Sequence, residues 1–115
     1  MAAYVSFMRS NNNAYDNYLM RFNAVASVLL KDVEYVTMRK NANHIVLEKA
    51  DRNATERTYY VFHHPRGGAM ISLAWLVKQD GAISKSAFGK RYKVKRDKEN
   101  RIYICLNEVL GNVGG

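Results

Sequence analysis

Hydrophobic positions along the chain change rhythm several times, and each rhythm predicts an element. Tyr4 to Met8 reads as a short strand, and Ser10-Asn11-Asn12-Asn13 as a turn that starts a helix, since Asn and Ser side chains accept from free first-turn amides. Asp16 suits the positive end of that helix. From Ala14 to Lys31, Tyr15, Tyr18, Leu19, Phe22, Val25, Ala26, Leu29 and Leu30 recur at three- and four-residue steps, which predicts an amphipathic helix. The pattern then shortens. Val33–Met38 and His44–Glu48 are apolar, β-branched runs separated by Lys40-Asn41-Ala42-Asn43, a hairpin signal. After a turn at Asp51–Ala54, Thr58–Phe62 predicts a third antiparallel strand that closes a meander.

His63–Gly68 reads as a loop, because Pro65 lacks an amide donor and Gly67-Gly68 permit unusual backbone angles. Ala69 to Gln79 is apolar almost all round and rich in good helix formers, with Gly81 placed to end a helix, so it predicts a second, buried helix. Ser84–Phe88 suggests a short capped turn. Tyr92–Lys95 and Arg101–Leu106 flank the charged turn Arg96–Asn100 as a C-terminal hairpin, and Gly111–Gly115 reads as a frayed tail. The fold class expected is α+β. An amphipathic N-terminal helix packs on an antiparallel sheet, with a second buried helix and a C-terminal basic β-hairpin.

The 115 residues fit a single domain, 1–115, with one proline and no low-complexity linker. A composition of 48% hydrophobic and 24% charged residues is that of a folding chain and argues against disorder. No apolar stretch reaches the roughly 18 residues of a membrane span, and the start of the chain lacks the pattern of a secretory signal. Cys105 is the only cysteine, so internal disulfides and thiolate zinc sites are excluded, and its apolar surroundings place it in the core. The expected setting is cytoplasmic, or associated with a nucleoid, with no membrane partner.

Charge sharpens the reading. The net charge is +8 at pH 7, and Ser84 to Arg101 alone holds eight basic residues against two acids, leaving +6 in eighteen residues. Such local excess favours a polyanion, so Lys85, Lys90, Arg91, Lys93, Lys95, Arg96, Lys98 and Arg101 are the expected nucleic-acid-binding set. In a hairpin Lys93 and Lys95 share one face while Tyr92 and Val94 share the other. The order of parts from Ala69 onward also suits a winged helix-turn-helix, with Lys85, Ser86, Lys90 and Arg91 in a groove-facing segment. The expected function is therefore a small DNA- or RNA-binding regulator or accessory factor, not an enzyme.

Two other classes remain at this point. The basic face could dock on an acidic protein partner as an adaptor or inhibitor. Alternatively His44, His63 or His64, with Arg66 and Lys40, could support a metal-independent ribonuclease. Adjacent His63 and His64 point to opposite faces of a strand and cannot share a metal by local geometry. Carboxylates are too scattered for a paired acid site or a hard-metal cluster, and Gly67-Gly68 lacks a full phosphate-loop fingerprint. No cofactor or metal is expected. A chain this small gains contact area by pairing, so a homodimer is compatible with the sequence.

Overall fold

Residues 15–22 decide the architecture. Tyr18, Met20 and Phe22 are almost completely buried, whereas Leu19 is half-buried and Arg21 exposed, a two-residue alternation that belongs to a strand. The computed structural model describes residues 2–12 and 15–113. In it β1 (Tyr4–Asn12) and β2 (Tyr15–Phe22) pair antiparallel, from Val5 opposite Phe22 to Asn12 opposite Tyr15. The helix expected over Ala14–Lys31 is thus replaced by a strand and a short 3-10 helix, Ala26–Leu30. Tyr18 and Phe22, four residues apart, satisfy both periodicities, but aromatic residues prefer the pleated surface, and β1 supplies a long partner. The expected helix start falls at Ser10–Asn12 within β1, and Asn13 lies outside the described residues. Asn23 fixes the corner after β2, accepting from the amides of Tyr4 (3.2 Å) and Ala26 (2.9 Å).

The first predicted hairpin is present as β3 (Tyr35–Asn41) and β4 (His44–Ala50), turning at Ala42-Asn43. The meander is not. Residues 51–58 carry the chain back past β3, and β5 (Tyr59–Tyr60) pairs with β3 on the side away from β4. Then β6 (Phe62–His63) pairs with β7 (Ala69–Ser72), which also pairs with β2. The second predicted helix resolves into two pieces: β7 and a five-residue helix, α1 (Ala74–Lys78). Ala69, Ile71 and Leu73 bury alternately and Leu76 buries on α1, so the all-round apolar character is the sum of a strand and one helical turn.

Segment 84–92 carries a three-residue 3-10 turn, Lys85–Ala87, capped by Ser84 Oγ, which accepts from the Ser86 amide at 3.2 Å. Gly89 at φ +86° then leads straight into β8 (Lys90–Arg96). No recognition helix of a winged-helix unit exists there. β9 (Ile102–Asn112) pairs with β8, and between Tyr92 and Lys93 the β9 partner jumps from Val109 to Cys105, a pronounced bulge. Gly111 and Asn112, expected in a frayed tail, belong to β9, while Gly114 and Gly115 lie outside the described residues.

Among the described residues nine strands form one sheet, in the order β5-β3-β4-β9-β8-β1-β2-β7-β6. Its two edges are consecutive in the chain. Val61 alone separates β5 from β6, and its amide donates to the Glu34 carbonyl at 2.8 Å, so the sheet curls into a nearly closed barrel. Val5, Phe7, Tyr18, Met20, Phe22, Ile45, Leu47, Ile71, Tyr92 and Ile104 fill the interior. The α+β expectation is corrected to a nearly all-β antiparallel architecture. Among the described residues no helix is long and apolar enough to cross a membrane.

Candidate nucleic-acid interface

The barrel separates the basic residues that cluster in sequence. Arg91, Lys93 and Lys95 share the outward parity of β8, because Tyr92 and Val94 between them are buried in the core. Lys93 Nζ lies 3.6 Å from Glu108 on the β9 bulge. Lys95 and Arg96 border a shallow cavity with His44 and Tyr103, whose rings meet edge to face at 5.8 Å. Lys98 is exposed in the turn, and Lys85 sits on the separate 3-10 turn. Lys90 opens β8 with the parity of Tyr92.

Arg101 is engaged within the hairpin tip. Its Nε donates to Asp97 Oδ2 at 2.8 Å and its Nη2 to Glu99. Asp97 Oδ1 accepts from the amides of Glu99 and Arg101, both at 2.9 Å, and Tyr103 donates its hydroxyl to Oδ2 at 3.1 Å. Desolvation opposes ionisation of Asp97, but the Arg101 guanidinium and these donors outweigh it and hold the carboxyl at about 2. The guanidinium of Arg101 is therefore spent on the turn.

A different set of arginines meets on the outer face of β8, β1 and β2. Ser6 of β1 stands opposite Arg91 on β8 and opposite Arg21 on β2, so the two arginines flank one small side chain. Between them and the β6–β7 loop lies a cavity of about 480 Å³, lined by Tyr4, Ser6, Arg21, His64, Arg66 and Arg91 among others. Among the described residues that line it, none is Asp or Glu. The Arg91 guanidinium carbon lies 4.8 Å from the Tyr4 ring centroid, and Arg91 Nε is buried without a hydrogen-bond acceptor among the described residues. A cationic, aromatic-edged groove with an unsatisfied donor has the chemistry to accept an anion and a planar ring.

The glycine loop shapes this groove without cradling phosphate. The Gly67 amide donates to the His64 carbonyl at 3.0 Å and the Gly68 amide to Ser27 Oγ at 3.3 Å, so both donors are already engaged within the protein. A plain turn is what the structure contains. His64 Nδ1 accepts from the Arg66 amide at 3.3 Å, which leaves the proton of the neutral ring on Nε2. His63 Nε2 is 2.8 Å from the Val33 carbonyl, and His44 lines a different cavity from His64. Among the described residues no group of three His, Cys, Asp or Glu could hold a metal. Burial, reinforced by a hydrogen bond to Glu108, pushes the Cys105 thiol up, away from reactivity.

Sequence reasoning placed Arg91 in the basic set but passed over Tyr4 and Arg21. Reading residues 15–22 as a strand would have set Arg21 on the polar side of the alternation; its meeting with Arg91 follows only from the pairing of β1 with both neighbours. Comparison with protein-family models, curated proteins and solved structures returned no match to this chain.

Proposed function

We propose that this protein is a nucleic-acid-binding barrel whose contact surface is the outer face of β8, β1 and β2. The observation that supports it is the groove edged by Arg21, Arg66 and Arg91, with Tyr4 on its wall and no carboxylate among the described residues of its lining. Each guanidinium presents a forked set of donors suited to phosphate oxygens, and Arg91 over Tyr4 offers a flat surface for a ring. Lys93 and Lys95 continue the same face along β8 and extend the path of the backbone. Lys85, Lys90, Arg96 and Lys98 add long-range attraction, which falls with salt. A protein with this work belongs in the cytoplasm or on the nucleoid.

The test is fluorescence anisotropy of a labelled oligonucleotide over a range of salt concentrations. Arg21→Gln/Arg91→Gln should weaken binding and flatten the log–log salt dependence by roughly 1.4 on a single strand or about 1.8 on duplex DNA, two phosphates' worth. Neutralising Lys93, Lys95 and Arg96 together should flatten it as well. A slope that stays unchanged in the arginine double variant overturns the proposal. Salt-sensitive capture of an acidic protein that survives nuclease treatment would replace it with the adaptor reading.

A further inference from the structure

We infer that the barrel seam is a base-stacking platform that makes this face a reader of single strands, an inference that rests on the arginine groove being a nucleic-acid site. Tyr59 and Val61 turn into the core, so Tyr60 and Phe62 between and beyond them face out. They stand 56% and 47% exposed, an unusual position for two aromatic rings so close in sequence. Tyr60 is held from the side by Tyr35, with ring centroids 5.7 Å apart and planes at 67°. Beside them a cavity of about 370 Å³ is lined by Leu19, Tyr60, Phe62, Met70 and neighbours, with no charged residue among the described lining residues.

Register ties this apolar cavity to the cationic groove. Met70 on β7 stands opposite Phe62 on β6 and opposite Arg21 on β2. One outward row therefore runs from Phe62 through Met70 and Arg21 to Ser6 and Arg91. An apolar occupant alone would not need the arginines, and a duplex, whose bases are stacked inside, offers the arginines only its phosphates. A strand with free bases matches both halves: its phosphates meet Arg21 and Arg91, and a base leaves the backbone to stack on Phe62 and Tyr60.

The experiment compares three labelled probes of equal length by anisotropy: an oligothymidylate, an abasic strand of the same phosphate count, and a duplex. The wild-type protein should bind oligothymidylate roughly five- to hundredfold more tightly than the abasic strand, the range of one stacked base. Phe62→Ala should remove most of that difference while leaving the abasic affinity unchanged, and Phe62→Trp should retain it. Phe62 is exposed, so both variants keep the core, which a circular dichroism melt verifies. Equal affinity of the wild type for thymidylate and abasic strands overturns the inference, as does a Phe62→Ala variant that loses both alike. Failure of the groove itself looks different, because then none of the three probes binds and the seam reading falls with it.

Discussion

Two arginine-rich places on this barrel use the same side chain in opposite ways. At the hairpin tip, Arg101 is met by Asp97 and Glu99 and its positive charge is cancelled within five residues. On the outer face of β8, β1 and β2, Arg21 and Arg91 come from strands 70 residues apart in sequence and meet across Ser6, with no acid among the described residues that line the groove between them. Density of charge along the chain and availability of charge in space are thus separate properties. A basic run that contains its own acids tends to build a turn. Arginines gathered by strand pairing, away from carboxylates, leave a field that a polyanion can feel.

The contrast can be broken at the groove first. Gly68 holds φ +92°, and a Cβ there would lie 3.1 Å from the Phe22 carbonyl oxygen on the fixed backbone of β2. Gly68→Ala should therefore cost about 1–3 kcal/mol of stability, read in a denaturant or thermal melt, because both the angle and the space are wrong. The loop it displaces carries Arg66 and His64, so the salt dependence of binding should also flatten by roughly one phosphate, ~0.7 on a single strand. A stable variant with unchanged binding would mean the loop plays no part in shaping the groove.

The tip should respond in the opposite sense. Asp97→Asn leaves a side chain that still accepts but has lost its attraction for the Arg101 guanidinium, so the melting temperature should drop while affinity for nucleic acid holds. The acid dependence follows with its sign. The Asp97 carboxyl is depressed from 3.8 to about 2 in the folded protein, so its stabilising contribution is complete above pH 4 and drains away as pH falls toward 2. Melts between pH 5 and pH 2 should show this loss in the wild type and a shallower one in Asp97→Asn. A marked loss of binding at neutral pH in that variant would place the tip inside the interface.

How much of this was legible in the sequence depends on how local the deciding contacts are. Asn turn chemistry, a charged break and apolar alternating runs located the turn at Ala42-Asn43 and the charged turn before Ile102, because a hairpin is specified by neighbouring residues. Tyr15–Phe22 was ambiguous for a physical reason: Tyr18, Leu19 and Phe22 lie at helical steps, and only the burial of Met20 exposes the period of two. Ala69–Leu76 was misread because a strand and a single helical turn run together without a break in hydrophobicity. The groove was least visible of all. Tyr4, Arg21 and Arg91 become neighbours only when β1 takes β2 on one side and β8 on the other, a pairing no local pattern encodes.

The smallest effect probes the border between the two regions, where Lys93 belongs to the face of Arg91 yet has an acid beside it. Glu108 reaches it from the β9 bulge at 3.6 Å, and both side chains are about half exposed. Water and counterions screen such a pair, so Glu108→Gln should leave the melting temperature essentially unchanged. Binding should move instead, because the substitution removes a negative charge from the rim and frees Lys93 for a phosphate. The expected gain is about two- to threefold in affinity at low salt, fading as salt rises. A gain that persists at high salt would point to a new direct contact rather than a released charge. No gain at all would end the path of the strand at Arg91, and the groove with its aromatic seam would then constitute the whole interface.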